Sequence, residues 1–190
     1  MVSSESLYCG FLGLLAAERL VELALSRRHA ARAFARGGVE VGQRHYRVMV
    51  VFHSLFLGAC AAEVLALERP FPGAPGLAAL GVALLAQALR YWAIVSLGEQ
   101  WNTRIIVVPG LPPVTRGPYR YVRHPNYVAV VLELAAVPLL HGAWVTALLF
   151  SLGNLWLLRV RIRAEEAALG AAHAEAFAGR ARFIPEVPRG

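Results

Sequence analysis

The chain contains no lysine, so all 19 of its basic residues are arginine. Genomic base composition explains that bias as readily as physics does, and it carries no functional reading. Cysteine is nearly absent: Cys9 and Cys60 both fall inside apolar segments without a close partner, which excludes a disulfide framework or a thiolate metal site. The six histidines, at 29, 45, 53, 124, 141 and 173, are scattered without ligand spacing, so no metal is expected. Charged residues are only 16% of the 190, where soluble domains carry about a quarter. No apolar run alternates with the period of two that a barrel strand needs. Met1-Val2-Ser3-Ser4-Glu5 lacks the positive start of a cleaved leader, so the first apolar run is expected to stay as a spanning helix.

What is there is apolar length. Hydrophobic residues make up 57% of the chain and mean hydropathy is +0.52, which points to an integral membrane protein. Crossing the hydrocarbon takes about 20 apolar residues as a helix. Leu7 to Leu25, Val48 to Leu67 and Leu77 to Leu97 meet that length, and Tyr127 to Leu140 and Ala143 to Leu158 are shorter runs split only by His141-Gly142. The expected fold is all-α, a polytopic bundle of five transmembrane helices whose last two form a tight hairpin, with a tail from 159 to 190. No internal repeat or long linker divides the chain, so one domain over 1–190 is the economical reading. Sixteen of the nineteen arginines fall in the segments 26–47, 98–126 and 159–190, on alternate sides of these helices. Under the positive-inside rule this puts the N-terminus outside and the C-terminus in the cytoplasm of a multi-pass cell-membrane protein.

Two polar clusters then face one compartment. The first is Gly117-Pro118-Tyr119-Arg120-Tyr121-Val122-Arg123-His124-Pro125-Asn126-Tyr127, and the second is Arg161-Ile162-Arg163-Ala164-Glu165-Glu166. Pro125 suits a first helical position, whose unpaired N–H groups can receive an anionic or polar ligand. His124 as cap and Tyr127 three residues on can then point at one molecule, or can serve as interfacial anchors. Arg161 and Glu165 share a helix face, as an exposed ion pair or as a binding pair. Glu165 and Glu166 diverge by about 100°, so one can hold a ligand while the other pairs with a nearby arginine. At membrane depth, Glu18, Glu22, Glu63 and Arg90 are expected to pair structurally, and Glu133 to hydrogen-bond Asn154 across the hairpin. Pro109-Gly110-Leu111-Pro112-Pro113 makes a stiff turn that can wall a pocket or merely connect.

Taken together, Gly-Pro-Tyr at 117–119, Arg-His-Pro-x-Tyr at 123–127 and Arg-Ile-x-x-Glu-Glu at 161–166 resemble the isoprenylcysteine carboxyl methyltransferase family of membrane enzymes, most strongly from Trp101 to Leu169. Gly38 to Tyr46, and Leu89-Arg90-Tyr91-Trp92 through Trp101-Asn102-Thr103, look like a bacterial branch associated with type III polyketide synthases that methylates alkylpyrones or alkylresorcinols. The resemblance implies S-adenosylmethionine as methyl donor in a cytoplasmic-side pocket roofed by the loop before the hairpin and the tail after it. It implies that Val114, Thr115, Tyr119, His124, Pro125, Asn126, Tyr127 and Glu165 bind the cofactor. Arg161 falls where the family places its catalytic, substrate-binding arginine. The stretch Gly170 to Phe177 follows the family's aromatic, glycine-rich tail only loosely, and Leu111-Pro112-Pro113 replaces the polar residues of eukaryotic members.

The expected activity is O-methylation of a lipid-like acceptor entering from the bilayer, foremost a polyketide-derived alkylpyrone or alkyl phenolic, with functional coupling to a type III polyketide synthase. A prenylcysteine carboxylate and a phospholipid amine are the alternatives. A non-enzymatic transporter subunit or scaffold is the rival from another class. No nucleic-acid partner is expected.

Overall fold

The computed structural model describes residues 3–184. Arg189, counted in the tail, lies outside the described residues, as does the end of the expected domain. Five helices account for most of the chain: α1 (Ser4–Ala35), α2 (Gln43–Ala66), α3 (Ala74–Leu97), α4 (Pro125–Leu139) and α5 (Trp144–Ala176). Three are long and apolar enough to cross a membrane, namely α2, α3 with its following 3-10 turn to Gln100, and α5; α4 is apolar but shorter.

Two helices outrun their apolar stretches. α1 continues ten residues past Leu25 through Ser-Arg-Arg-His-Ala-Ala-Arg-Ala-Phe-Ala, and α5 continues eighteen past Leu158. Hydropathy marks where lipid ends, whereas alanine, arginine and glutamate carry a helix onward into water. In α5 the helical dihedrals break at Gly170 (φ 67°, ψ −159°). The apolar run of α2 starts at Val48, so its first turn also lies beyond the hydrocarbon.

The fold is not purely helical. Val39–Val41 (β1) and Ile105–Val107 (β2) form a two-stranded antiparallel ribbon with Val39 opposite Val107 and Val41 opposite Ile105. Their β-branched residues suit a strand, but three residues are too few to carry a periodic signal. The ribbon ties the segment between α1 and α2 to the segment after α3, and both strands pack on α5.

α3 packs along α4, and α4 packs along α5. The principal apolar core joins Tyr8, Leu12 and Leu15 of α1 with Phe56, Cys60 and Val64 of α2 and Leu134 and Val137 of α4. Glu63, in the last turn of α2, accepts hydrogen bonds from the backbone N–H groups of Val145 (3.2 Å) and Thr146 (2.7 Å), and it also pairs with Arg69 at 3.1 Å. The orphan donors at the start of α5 are thereby capped by a carboxylate from another helix.

Charges join α1, α3 and α4 where their apolar surfaces leave a gap. Arg90 binds both Glu22 oxygens at 2.7 Å, while Arg19 reaches Glu22 at 2.8 Å, Glu18 at 3.2 Å and Glu133 at 3.3 Å. Gln87 and Tyr91 donate to Glu18. Glu133 therefore turns toward α1 and α3 and not toward Asn154, whose Oδ1 is buried without a partner; a carboxylate beside two guanidinium groups has the stronger attraction. Beside this network a cavity of about 270 Å³ has apolar walls from Leu14, Leu15, Leu84 and Val137.

Glu22→Ala leaves Arg90 with only Glu133, 3.8 Å away, and is expected to cost about 3–5 kcal/mol. Replacing both residues by leucine should recover most of that loss. Unfolding of the single and double variants in mixed micelles measures the coupling, and a single-variant loss below about 1 kcal/mol would show that the pair is not needed.

Candidate functional site

The first cluster opens with a turn that only glycine permits. Gly117 has φ 60°, and a Cβ there would lie 2.0 Å from Ser96 Oγ. The 3-10 turn that follows (Gly117–Arg120) seats Tyr119 against Ala93 and Phe177. α4 then begins at Pro125 with His124 as its cap residue, so the ring of His124 stacks on Tyr127 at 5.3 Å.

The second cluster comes down on the first. His124 Nε2 donates to Glu166 Oε1 at 3.1 Å, and Tyr127 donates its hydroxyl hydrogen to Glu165. Arg161 is 5% exposed. It donates through Nε to the Tyr127 hydroxyl and through Nη2 to the Thr103 carbonyl, both at 2.8 Å. Arg161 and Glu165 are therefore no exposed ion pair: the tyrosine hydroxyl stands between them, accepting from the arginine and donating to the carboxylate. The two acids have separate attachments, Glu165 to Tyr127 and Glu166 to Arg182 through two hydrogen bonds of 3.0 and 2.6 Å.

Residues 177–184 lie across the site as a strap. The backbone N–H groups of Arg123 and His124 donate to the carbonyls of Ala181 (3.0 Å) and Arg182 (3.1 Å). Arg123 Nε donates to Arg180 O at 2.6 Å, and Arg180 Nη1 to Tyr119 O at 3.0 Å. The hydropathy pattern gave no sign of this strap; the resemblance alone implied that the tail after α5 covers a pocket.

Thr103, which positions Arg161, is itself fixed from α1 and α2. Its hydroxyl shares hydrogen bonds with Ser26 (2.8 Å) and Tyr46 (3.1 Å), and Asn102 and Ser26 bind each other twice. Ser26, Tyr46 and Thr103 are site residues that motif reading missed, because hydroxyls contributed by three separate segments leave no local pattern. Val114 and Thr115 are half-buried in the extended stretch before Gly117. That stretch is tied to the end of α3 by Gln100 to Pro112 O (3.2 Å) and Arg116 to Ser96 O (3.1 Å), and not to the His124 cluster.

The electrostatics favour donors held protonated beside a carboxylate. Burial, and after it the charge of Glu165, pushes the Tyr119 phenol up. Burial alone would raise Glu166, but the hydrogen bonds from Arg182 and His124 outweigh it and hold that carboxyl below its usual range. Asn126 Oδ1, between His124 and Tyr127 in sequence, is buried without a partner. A buried acceptor in that state is normally satisfied by a ligand or water.

The fold so far defines a multi-pass membrane protein with a polar, strapped site at one end of the bundle. Residues 79–171, which hold the whole His124–Arg161–Glu165 constellation, match the family model of the isoprenylcysteine carboxyl methyltransferase (ICMT) family. The uncharacterized protein YpbQ of Bacillus subtilis (strain 168) is 43% identical over 158 residues, 83% of this chain and 94% of YpbQ. An uncharacterized protein of Haemophilus influenzae is 30% identical over 152 residues, 80% of this chain and 88% of its own length. The protein-S-isoprenylcysteine O-methyltransferase of Schizosaccharomyces pombe is 38% identical over 93 residues, 48% of this chain and 39% of that enzyme. Residues 79–171 thus form a domain of the isoprenylcysteine carboxyl methyltransferase family, whose members are membrane-bound methyltransferases. None of these relatives speaks for the polyketide-associated branch.

Because Glu166 titrates below its unfolded range, the latch it forms is at full strength above the ordinary glutamate pKa of about 4.3 and is lost as pH falls through the lowered value. Glu166→Gln is expected to loosen the strap already at neutral pH. The amide protons of Arg123 and His124 report on it directly, and unchanged hydrogen-exchange protection in that variant would rule out the latch.

Proposed function

We propose that the chain is an integral membrane S-adenosylmethionine-dependent O-methyltransferase of an amphiphilic acceptor whose reactive head is an anionic oxygen. The observation that carries this reading is the Arg161–Tyr127–Glu165 bridge beneath His124: a buried fixed cation next to a carboxylate that gives one oxygen to the tyrosine and has the other for a neutral polar ligand. Tyr119, His124, Pro125, Asn126, Tyr127 and Glu165, with Val114 and Thr115 from the preceding stretch, are the residues that would hold the cofactor. They suit it chemically, because the orphaned Asn126 Oδ1 and the Glu165 carboxylate are acceptors for a nucleoside's hydroxyl and amino groups.

The cofactor supplies an electrophilic methyl group on a sulfonium. The protein's part is alignment and exclusion of water. Arg161, forked and permanently charged, holds the ionised oxygen, and the strap over Glu166 covers the site. A carboxylate or an acidic hydroxypyrone is ionised near neutral pH and needs no base. A phenol of pKa about 10 needs one, and His124, oriented by Glu166, is the first candidate.

The likeness to the protein-S-isoprenylcysteine O-methyltransferase of Schizosaccharomyces pombe supports a prenylcysteine carboxylate as acceptor at least as well as the motifs around Gly38–Tyr46 support an alkylpyrone or alkylresorcinol. Arginine placement supports five membrane helices with the N-terminus outside, the last two as a hairpin and the site on the cytoplasmic side. Greasy acceptor tails would then enter sideways from the bilayer.

Calorimetry with S-adenosylhomocysteine is the first test, since the product should bind without an acceptor. Glu165→Ala is expected to abolish this binding, and Arg161→Ala to spare it while removing turnover. Equal loss of nucleoside affinity in both variants would contradict the division of roles. Incubation with labelled S-adenosylmethionine and each acceptor class then sorts the substrates: label found only in prenylcysteine esters would exclude the polyketide acceptors, and absence of any nucleoside binding would favour a transporter subunit or scaffold.

A further inference from the structure

Arg161 leaves one edge without a strong partner. Its Nε and Nη2 bind oxygen, but Nη1 faces only the Met49 thioether at 3.7 Å, and sulfur is a weak acceptor. The face of α2 that carries Met49 also carries His45, four residues and one helical turn earlier. His45 Nε2 is buried with no hydrogen-bond partner. Burial, and after it the charge of Arg161, lowers the pKa of His45, so its imidazole stays neutral and offers a single N–H.

The backbone is shaped for this ring. Gly42, just ahead of α2, has φ 75°, and a Cβ there would lie 1.9 Å from His45 Cε1. Glycine therefore both makes the left-handed turn and clears the space the imidazole occupies. The β1–β2 ribbon holds that turn beside α5, and Tyr46, the next residue, fixes Thr103 and through it Arg161. This whole segment precedes residues 79–171, so the family match does not account for it.

We propose that His45 and the Nη1 edge of Arg161 together seat the acceptor's reactive head, which is accordingly an anion with two oxygens, either a carboxylate or an ionised hydroxypyrone. The inference rests on the methyltransferase reading and assigns its acceptor side. Two donors on different helices match two oxygens: one can be methylated while the other stays held. A phospholipid ammonium would meet a guanidinium, and a neutral resorcinol would bring it no opposing charge.

The test uses the full-length protein in lipid nanodiscs with four acceptor probes: N-acetyl-S-farnesylcysteine, an alkyl hydroxypyrone, an alkylresorcinol and phosphatidylethanolamine. The wild type is expected to methylate one of the two anionic probes and neither of the others. His45→Ala should raise KM for that acceptor about tenfold or more with affinity for S-adenosylhomocysteine unchanged within about twofold. His45→Gln, which restores a side-chain N–H, should recover most of the loss. An unchanged KM in His45→Ala, a loss of nucleoside affinity in both His45 variants, or a wild type that binds S-adenosylhomocysteine yet methylates neither anionic probe would each overturn the assignment. A wild type that binds no S-adenosylhomocysteine would instead defeat the methyltransferase reading, and this inference with it.

Discussion

A guanidinium taken out of water must find anionic oxygen or forfeit far more than any helix contact returns. Arg19 and Arg90 are both in that position, and three carboxylates answer them: Glu18 and Glu22 from α1 and Glu133 from α4. The consequence is geometric. α1 and α3 do not interlock through apolar side chains at this depth, and the bidentate Arg90–Glu22 pair sets their rotation and register. That register reaches the site, because Ser26 lies one turn beyond Glu22 on the same face of α1 and meets Asn102 and Thr103, whose carbonyl steadies Arg161.

The site is therefore assembled from two directions. From the motif-bearing half come His124, Tyr127, Arg161 and Glu165, brought together because a proline-started helix and the polar end of a long one meet at the same level. From the N-terminal half come Ser26, Tyr46 and the α2 turn, which supply the surroundings of the arginine. The His124–Tyr127–Arg161–Glu165 constellation sits in the segment that matches the family, while Ser26, Tyr46 and the turn into α2 lie outside it.

Much of this arrangement was legible in the chain. Long apolar runs revealed a mostly helical membrane protein, and Pro125 marked the start of α4 because the first turn of a helix needs no N–H there. The adjacent acids were readable as a division of labour because neighbouring helix positions point apart, and Glu165 and Glu166 do take different partners. Other features were not legible. Three-residue strands leave no period, and hydropathy falls off at the lipid boundary although α1 and α5 continue as helices. The bridge through the Tyr127 hydroxyl and the attachment of Thr103 to Ser26 depend on residues far apart in the chain, which no local pattern reports. Glu133 was misjudged because the reading weighed its neighbour across the hairpin and not the arginines of other helices.

The charge network also bears on how the molecule is made. Glu18, Arg19 and Glu22 leave the ribosome long before Arg90 exists, and within α1 one arginine faces two carboxylates. The second guanidinium comes only with α3. Assembly of the leading helix thus waits on a segment made much later, and a substitution at Arg90 would leave an unbalanced carboxylate from the start of biogenesis.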